Sequence, residues 1–196
     1  MIRKVSASML EYQQPLDSAA EARGGLLTDR TGIRVKLAET GILLLQSSPS
    51  SALQDAVTSE TALRLPGPGE TSVRGDYALL WLTPAEWLLE CPMQDTGSLR
   101  SALTRRLATS LAVVTDMSGA FACFELDGDR THDILMSGCS LDLRAESFPA
   151  GRAARTSLAG IPAIIRTTAE PHGFRCLVDR SYARHLRNWL LRTAAW

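Results

Sequence analysis

Apolar and polar positions alternate in short runs along most of the chain and take a helical period only in a few places, so strands dominate the reading. IRVKLA, the Glu39-Thr40-Gly41 turn and ILLLQ predict a β-hairpin. A short helix follows from Ser51 through Val57, capped by Ser50 or Ser51. Residues 64–76, RLPGPGETSVRGD, hold two Pro and three Gly and predict a loop. DYALLWLTPAEWLLECP reads as two apolar runs joined at Thr83-Pro84, strands either buried on both faces or buried on one and docked on the other. In TGSLRSALTRRLA, Leu99, Leu103 and Leu107 share one helical face while Arg100, Arg105 and Arg106 point away, which predicts a helix lying over a sheet.

Residues 113–166 concentrate the structural signals. In AFACFEL, Ala122, Phe124 and Leu126 fall on one side, and Phe121, Cys123 and Glu125 on the other. Asp127-Gly128 ends that strand. A helix over 130–136 follows, its start crowded by Asp127, Asp129 and Asp133, its end set by Gly138 as a C-cap glycine. RAARTSL and IPAIIRT form a hairpin across Ala159-Gly160, and GFRCLVD adds a strand. The last helix is capped by Ser181 and turns Tyr182, Leu186, Trp189 and Leu190 inward. The predicted architecture is α+β: an N-terminal arm (1–28) and two similar lobes of mainly antiparallel sheet with covering helices (29–109 and 110–196).

Composition narrows the function classes. The 196 residues carry 21 basic and 21 acidic side chains, a balance that argues against bulk nucleic-acid binding. From Arg144 to Trp196, however, nine Arg face only Glu146, Glu170 and Asp179. Nineteen of the 21 basic residues are Arg, whose planar fork suits interfaces. The cysteines at 91, 123, 139 and 176 are widely spaced, without CxxC or a nearby His pair, and read as buried thiols of a reducing compartment. No apolar run approaches the ~20 residues a bilayer requires, and the N-terminus has no signal-peptide core. A cytoplasmic protein without a membrane partner is expected.

Catalytic motifs are missing from the pattern. His132, His172 and His185 lack zinc-ligand spacing, the Ser137-Gly138-Cys139-Ser140 turn lacks GxSxG, and no GxGxxG follows a strand. The Gly-rich loop at 64–76 has neither a following helix nor the Lys that a phosphate cradle uses. The residues that stand out suit partner binding. Trp81 and Trp87 are either interface anchors or core, and Arg152, Arg155 and Arg166 lie in the basic C-terminal part.

DYALLWLTPAEWLLE, then VVTDMSGAFACFELDG, MSGCSLDL, FPAGRAARTSLAGIPAIIR and a final RSYA together resemble the gamma subunit of heterotetrameric sarcosine oxidase, over about residues 63–190. More distantly they are similar to the folate-binding fold of the glycine-cleavage aminomethyltransferase. The resemblance implies an accessory chain without its own active site, with alpha, beta and delta subunits as partners. FAD, FMN and NAD would belong to the larger subunits, a metal to the smallest, and tetrahydrofolate to the complex, with no cofactor on this chain. It also implies the reaction of the whole complex, oxidative demethylation of sarcosine to glycine. A gamma-type chain of a related secondary-amine oxidase or dehydrogenase, a stand-alone folate-binding protein using Arg152, Arg155 or Arg166, and a free aminomethyltransferase are the alternatives.

Overall fold

The structure is a computed structural model and describes residues 25–30, 32–170 and 172–195. The expected arm over 1–28 lies outside the described residues up to 24, and its last four residues begin strand β1 (Gly25–Arg30). The remaining strands are β2 (Ile33–Ala38), β3 (Gly41–Ser47), β4 (Thr71–Arg74), β5 (Tyr77–Thr83), β6 (Glu86–Cys91), β7 (Ala112–Asp116), β8 (Phe121–Asp127), β9 (Ala153–Leu158), β10 (Ile161–Thr167) and β11 (Phe174–Asp179). The helices are α1 (Ser51–Thr61), α2 (Thr96–Arg106), α3 (Thr131–Met136) and α4 (Ala183–Thr193).

Every pairing among the named strands is antiparallel. One sheet has the order β1-β2-β8-β11-β10-β9, the other β4-β5-β6-β3-β7. Each therefore takes strands from both halves of the sequence: β2 pairs with β8, and β7 with β3. The sheets interlock across the 109/110 division expected from the sequence. The hairpin expected over residues 33–46 does not form, because β2 and β3 belong to different sheets. The Glu39-Thr40 link carries the chain from one sheet to the other, and Gly41 is already the first residue of β3.

Period-2 alternation divides the interior into three layers. Ala122, Phe124, Leu126, Ile165, Phe174, Cys176 and Val178 pack under α3 and α4 with Leu135, Leu186 and Leu190. Leu43, Leu45, Leu79, Trp87 and Leu89 pack under α1 and α2 with Leu53, Val57, Leu99 and Leu103. Between the sheets lie Ile42, Ala78, Leu80, Leu88, Cys123, Ile164 and Leu177. The α+β expectation is met, with helices covering the outer faces of two sheets packed face to face.

Local signals explain the element ends. The Ser50 hydroxyl accepts from the Leu53 amide and starts α1, which runs four residues beyond the expected Val57. Part of the expected 64–76 loop is strand β4, paired to β5. Ala159 and Gly160 both adopt positive φ, the conformation a tight β9–β10 turn demands. At the start of the last helical segment it is Asp179, not Ser181, whose side chain accepts from a backbone amide, that of Ser181.

Candidate functional site: a charged cleft between the sheets

The inter-sheet core ends in a layer of charge. On β6, Leu88 faces the other sheet and Glu90, two residues on, faces the same way; on β10, Ile164 is followed by Arg166; on β11, Leu177 is preceded by Arg175; on β8, Cys123 is followed by Glu125. Strand register sets these side chains in one row across the larger sheet, Lys36 opposite Glu125, Glu125 opposite Arg175, and Arg175 opposite Arg166. Two arginines directly opposite one another repel. Glu90, reaching in from the other sheet, bonds to both.

Glu90 is fully buried and accepts hydrogen bonds from Arg166 Nε and Nη2, each 2.9 Å, in a bidentate fork. Arg175 Nη1 donates to the same carboxylate, while its Nη2 donates to Thr40 Oγ1 at 2.7 Å and pairs with Glu125 at 3.0 Å. Lys36 closes the row on Glu125 at 3.1 Å. Burial alone would push the Glu90 carboxyl up, but the two guanidinium groups and their hydrogen bonds reverse this and hold it below its ordinary value.

This row floors an open cleft of about 720 Å³. Its walls come from β1, β2, β4, β5 and the 91–94 and 168–170 segments. Tyr77 stands in the wall and donates to Asp95 at 2.7 Å; that hydrogen bond, with burial, raises its phenol to about 12. The floor's charged groups thus bond chiefly to one another. These bonds tie the sheets together, and Arg175 Nε alone in the row is buried without a hydrogen-bond partner among the described residues.

The residues expected at an interface are scattered. Trp87 is buried, donating to the Pro66 carbonyl at 3.2 Å, and Arg166 is buried in the Glu90 fork. Trp87 thus takes the core role of its two readings, because its strand face carries the outer core, and Arg166 is corrected from surface to interior, because its strand faces the opposing sheet. Trp81 pairs across strands with Trp87 and is half-buried against the same core. Arg152, half-buried, lies over Gly69, where a Cβ would come within 3.0 Å of its guanidinium. Arg155 is exposed and pairs loosely with Glu86 at 3.7 Å. The sequence reading missed Glu90, Glu125 and Arg175 altogether. The signal present was a charged residue interrupting an otherwise apolar strand, as in WLLEC, AIIRT and FRCLV.

Elsewhere, the Cys123 and Cys176 thiols are fully buried and pushed up by burial, Cys123 to about 12. Among the described residues no three His, Cys, Asp or Glu converge to hold a metal ion, and no helix is long and apolar enough to cross a membrane.

Two face-to-face antiparallel sheets with helices on the outer faces define a chain of the aminomethyltransferase-like fold. The solved glycine cleavage system aminomethyltransferase T from Bartonella henselae matches it with a TM-score of 0.62 at 14% identity, over 83% of this chain and 46% of that one. The sequence narrows the class. The model of the sarcosine oxidase, gamma subunit family matches residues 46–196, and the chain belongs to that family. It is 32% identical to the sarcosine oxidase subunit gamma of Corynebacterium sp. (strain U-96), over 88% of this chain and 82% of that protein. It is 27% identical to the corresponding subunit of Arthrobacter sp., over 91% and 88%. A chain of the heterotetrameric sarcosine oxidase from Corynebacterium sp. U-96, solved with pyrrole 2-carboxylate, matches with a TM-score of 0.77 at 29% identity, over 86% of each chain.

Proposed function

We infer that this chain is the gamma subunit of a heterotetrameric sarcosine oxidase and that its own contribution is structural. The observation that carries this reading is the match to a chain of a heterotetrameric sarcosine oxidase over 86% of both chains, with a TM-score of 0.77. The partners are the alpha, beta and delta subunits. The complex oxidises the N-methyl group of sarcosine, releasing glycine and hydrogen peroxide and passing the one-carbon unit to tetrahydrofolate. FAD, FMN and NAD sit on the larger subunits.

A scaffold role is supported by the cleft floor, where the carboxylates and guanidinium groups that would serve as acids, bases or ligands are consumed in internal hydrogen bonds. Of the expected interface residues, Arg155 is the one most exposed to a partner. Co-expression of the four subunits with and without this chain tests the reading. The expected result is one copy in the purified assembly, with sarcosine-dependent peroxide formation lost or unstable in its absence. Recovery of a fully active, stable assembly that excludes the chain overturns it.

A further inference from the structure

The cleft's mouth differs from its floor. Glu39, Asp76 and Glu170 line it, are exposed, and have no ion-pair partner among the described residues. Leu26 and Val73 line the same mouth and are 58% and 50% exposed, unusually open for side chains of their size. They sit on β1 and β4, the end strands of the two sheets. Among the described residues the outer edge of β4 is met only at its start, where Glu70 bridges to Arg152 and the Thr71 amide donates to Gly151. Among the described residues the mouth thus presents open strand edges, apolar side chains and carboxylates without ion-pair partners in one place.

The geometry points to this cleft as the seat of an extended, basic segment of a partner subunit, a run in which apolar residues meet Leu26 and Val73 and Lys or Arg side chains meet Glu39, Asp76 and Glu170. This inference rests on the gamma-subunit reading and adds where and with what chemistry the partner docks. Charge complementarity selects the occupant. The floor's Lys36, Arg166 and Arg175 are met there by Glu90 and Glu125, so an anionic segment would find its cations engaged and would have to pass three carboxylates to reach them. Strand edges favour an extended backbone, whose amides and carbonyls pair with an open ladder.

The test uses the assembled complex. The triple variant Glu39→Lys, Asp76→Lys, Glu170→Lys is compared with wild type for binding to the co-expressed partner subunits, at low and moderate salt. The three positions are exposed, so the thermal midpoint of the chain serves as the folding control. The expected result is at least tenfold weaker association of the variant, wild-type binding that weakens with salt, and slowed hydrogen exchange of residues 25–30 and 71–74 in the complex. The charge-neutral Glu39→Gln, Asp76→Asn, Glu170→Gln variant falls between the two. Equal binding of wild type and variant, with no protection of these strands, overturns the docking site and leaves the gamma-subunit reading standing. A wild-type chain that does not bind the partners at all overturns that reading, and this inference with it. Protection that appears in the isolated chain and grows with its concentration assigns the cleft to a second copy and also overturns the inference.

Discussion

Arg166 on β10 and Glu90 on β6 are joined by two hydrogen bonds of 2.9 Å, both side chains buried, and through them one sheet is tied to the other across the interior. Seventy-six positions separate them in sequence. An ion pair out of water is costly to desolvate, and this one is tolerated because Arg175 and the backbone carbonyl of Thr167 complete its hydrogen bonding.

The first prediction concerns loss of one partner. Glu90→Ala leaves the buried Arg166 guanidinium without its carboxylate and directly beside Arg175, which keeps only Glu125 and Thr40, and the expected cost is about 3–5 kcal/mol in urea denaturation. The double variant Glu90→Leu, Arg166→Met removes the charge pair and fills its volume, and should unfold at a urea midpoint well above that of the single variant. If the double variant is no more stable than Glu90→Ala, the penalty does not come from unpaired charge.

The second prediction is the pH dependence that follows. Glu90 titrates below its ordinary value of 4.5 in the folded chain, so the unfolded state binds its proton more readily. Its contribution to stability is complete above 4.5 and is lost as pH falls through the lower folded value. Denaturation midpoints measured from pH 7 down to pH 3 should fall more steeply for wild type than for Glu90→Leu, Arg166→Met. Other carboxylates stabilised by hydrogen bonds, such as Asp116 and Asp179, titrate in both proteins, so the difference isolates the inter-sheet pair.

Much of this fold was legible in the sequence, and the reason lies in local chemistry. The alternation in AFACFEL, the leucine spacing of α2 and the Ala159-Gly160 turn each set their own backbone within a few residues. Which strands pair is a long-range property. Nothing local shows that IRVKLA leaves its neighbour ILLLQ to pair with a strand some ninety residues on. The cleft is built from such pairings: Glu125 and Arg175 meet only because β8 and β11 lie side by side, and Glu90 joins them from the other sheet. The sequence leaves Trp87 open between interface and core for a related reason, since the face of β6 that carries it is chosen by α1 and α2.

Gly138 is the third case. The sequence suggests a helix-terminating glycine in the left-handed region, yet Gly138 does not have positive φ. What requires glycine is Trp189 of α4, because a Cβ there would lie 2.5 Å from its ring carbon Cζ2. Gly138→Ala should destabilise the chain by about 1–3 kcal/mol, the usual cost of overpacking, and shift the tryptophan emission. Adding Trp189→Leu should recover part of the loss; a Gly138→Ala chain as stable as wild type shows that the ring moves freely.

The fourth prediction concerns the opposite edge of the smaller sheet, where β7, among the described residues, pairs on one side only, with β3. Val113 is 57% exposed and Leu111 is 96% exposed, whereas Val114, one position along, packs against the core under α1 and α2. Alternation assigns the two valines opposite roles. Val113→Lys should change the unfolding free energy by no more than about 0.5 kcal/mol, as surface substitutions do. It should also reduce concentration-dependent light scattering of the isolated chain, since a charged residue blunts an open strand edge. Val114→Lys removes a half-buried valine from the core under α1 and α2 and should lower the urea midpoint more than Val113→Lys does. Equal destabilisation by the two substitutions would mean that β7 does not present Val113 to solvent.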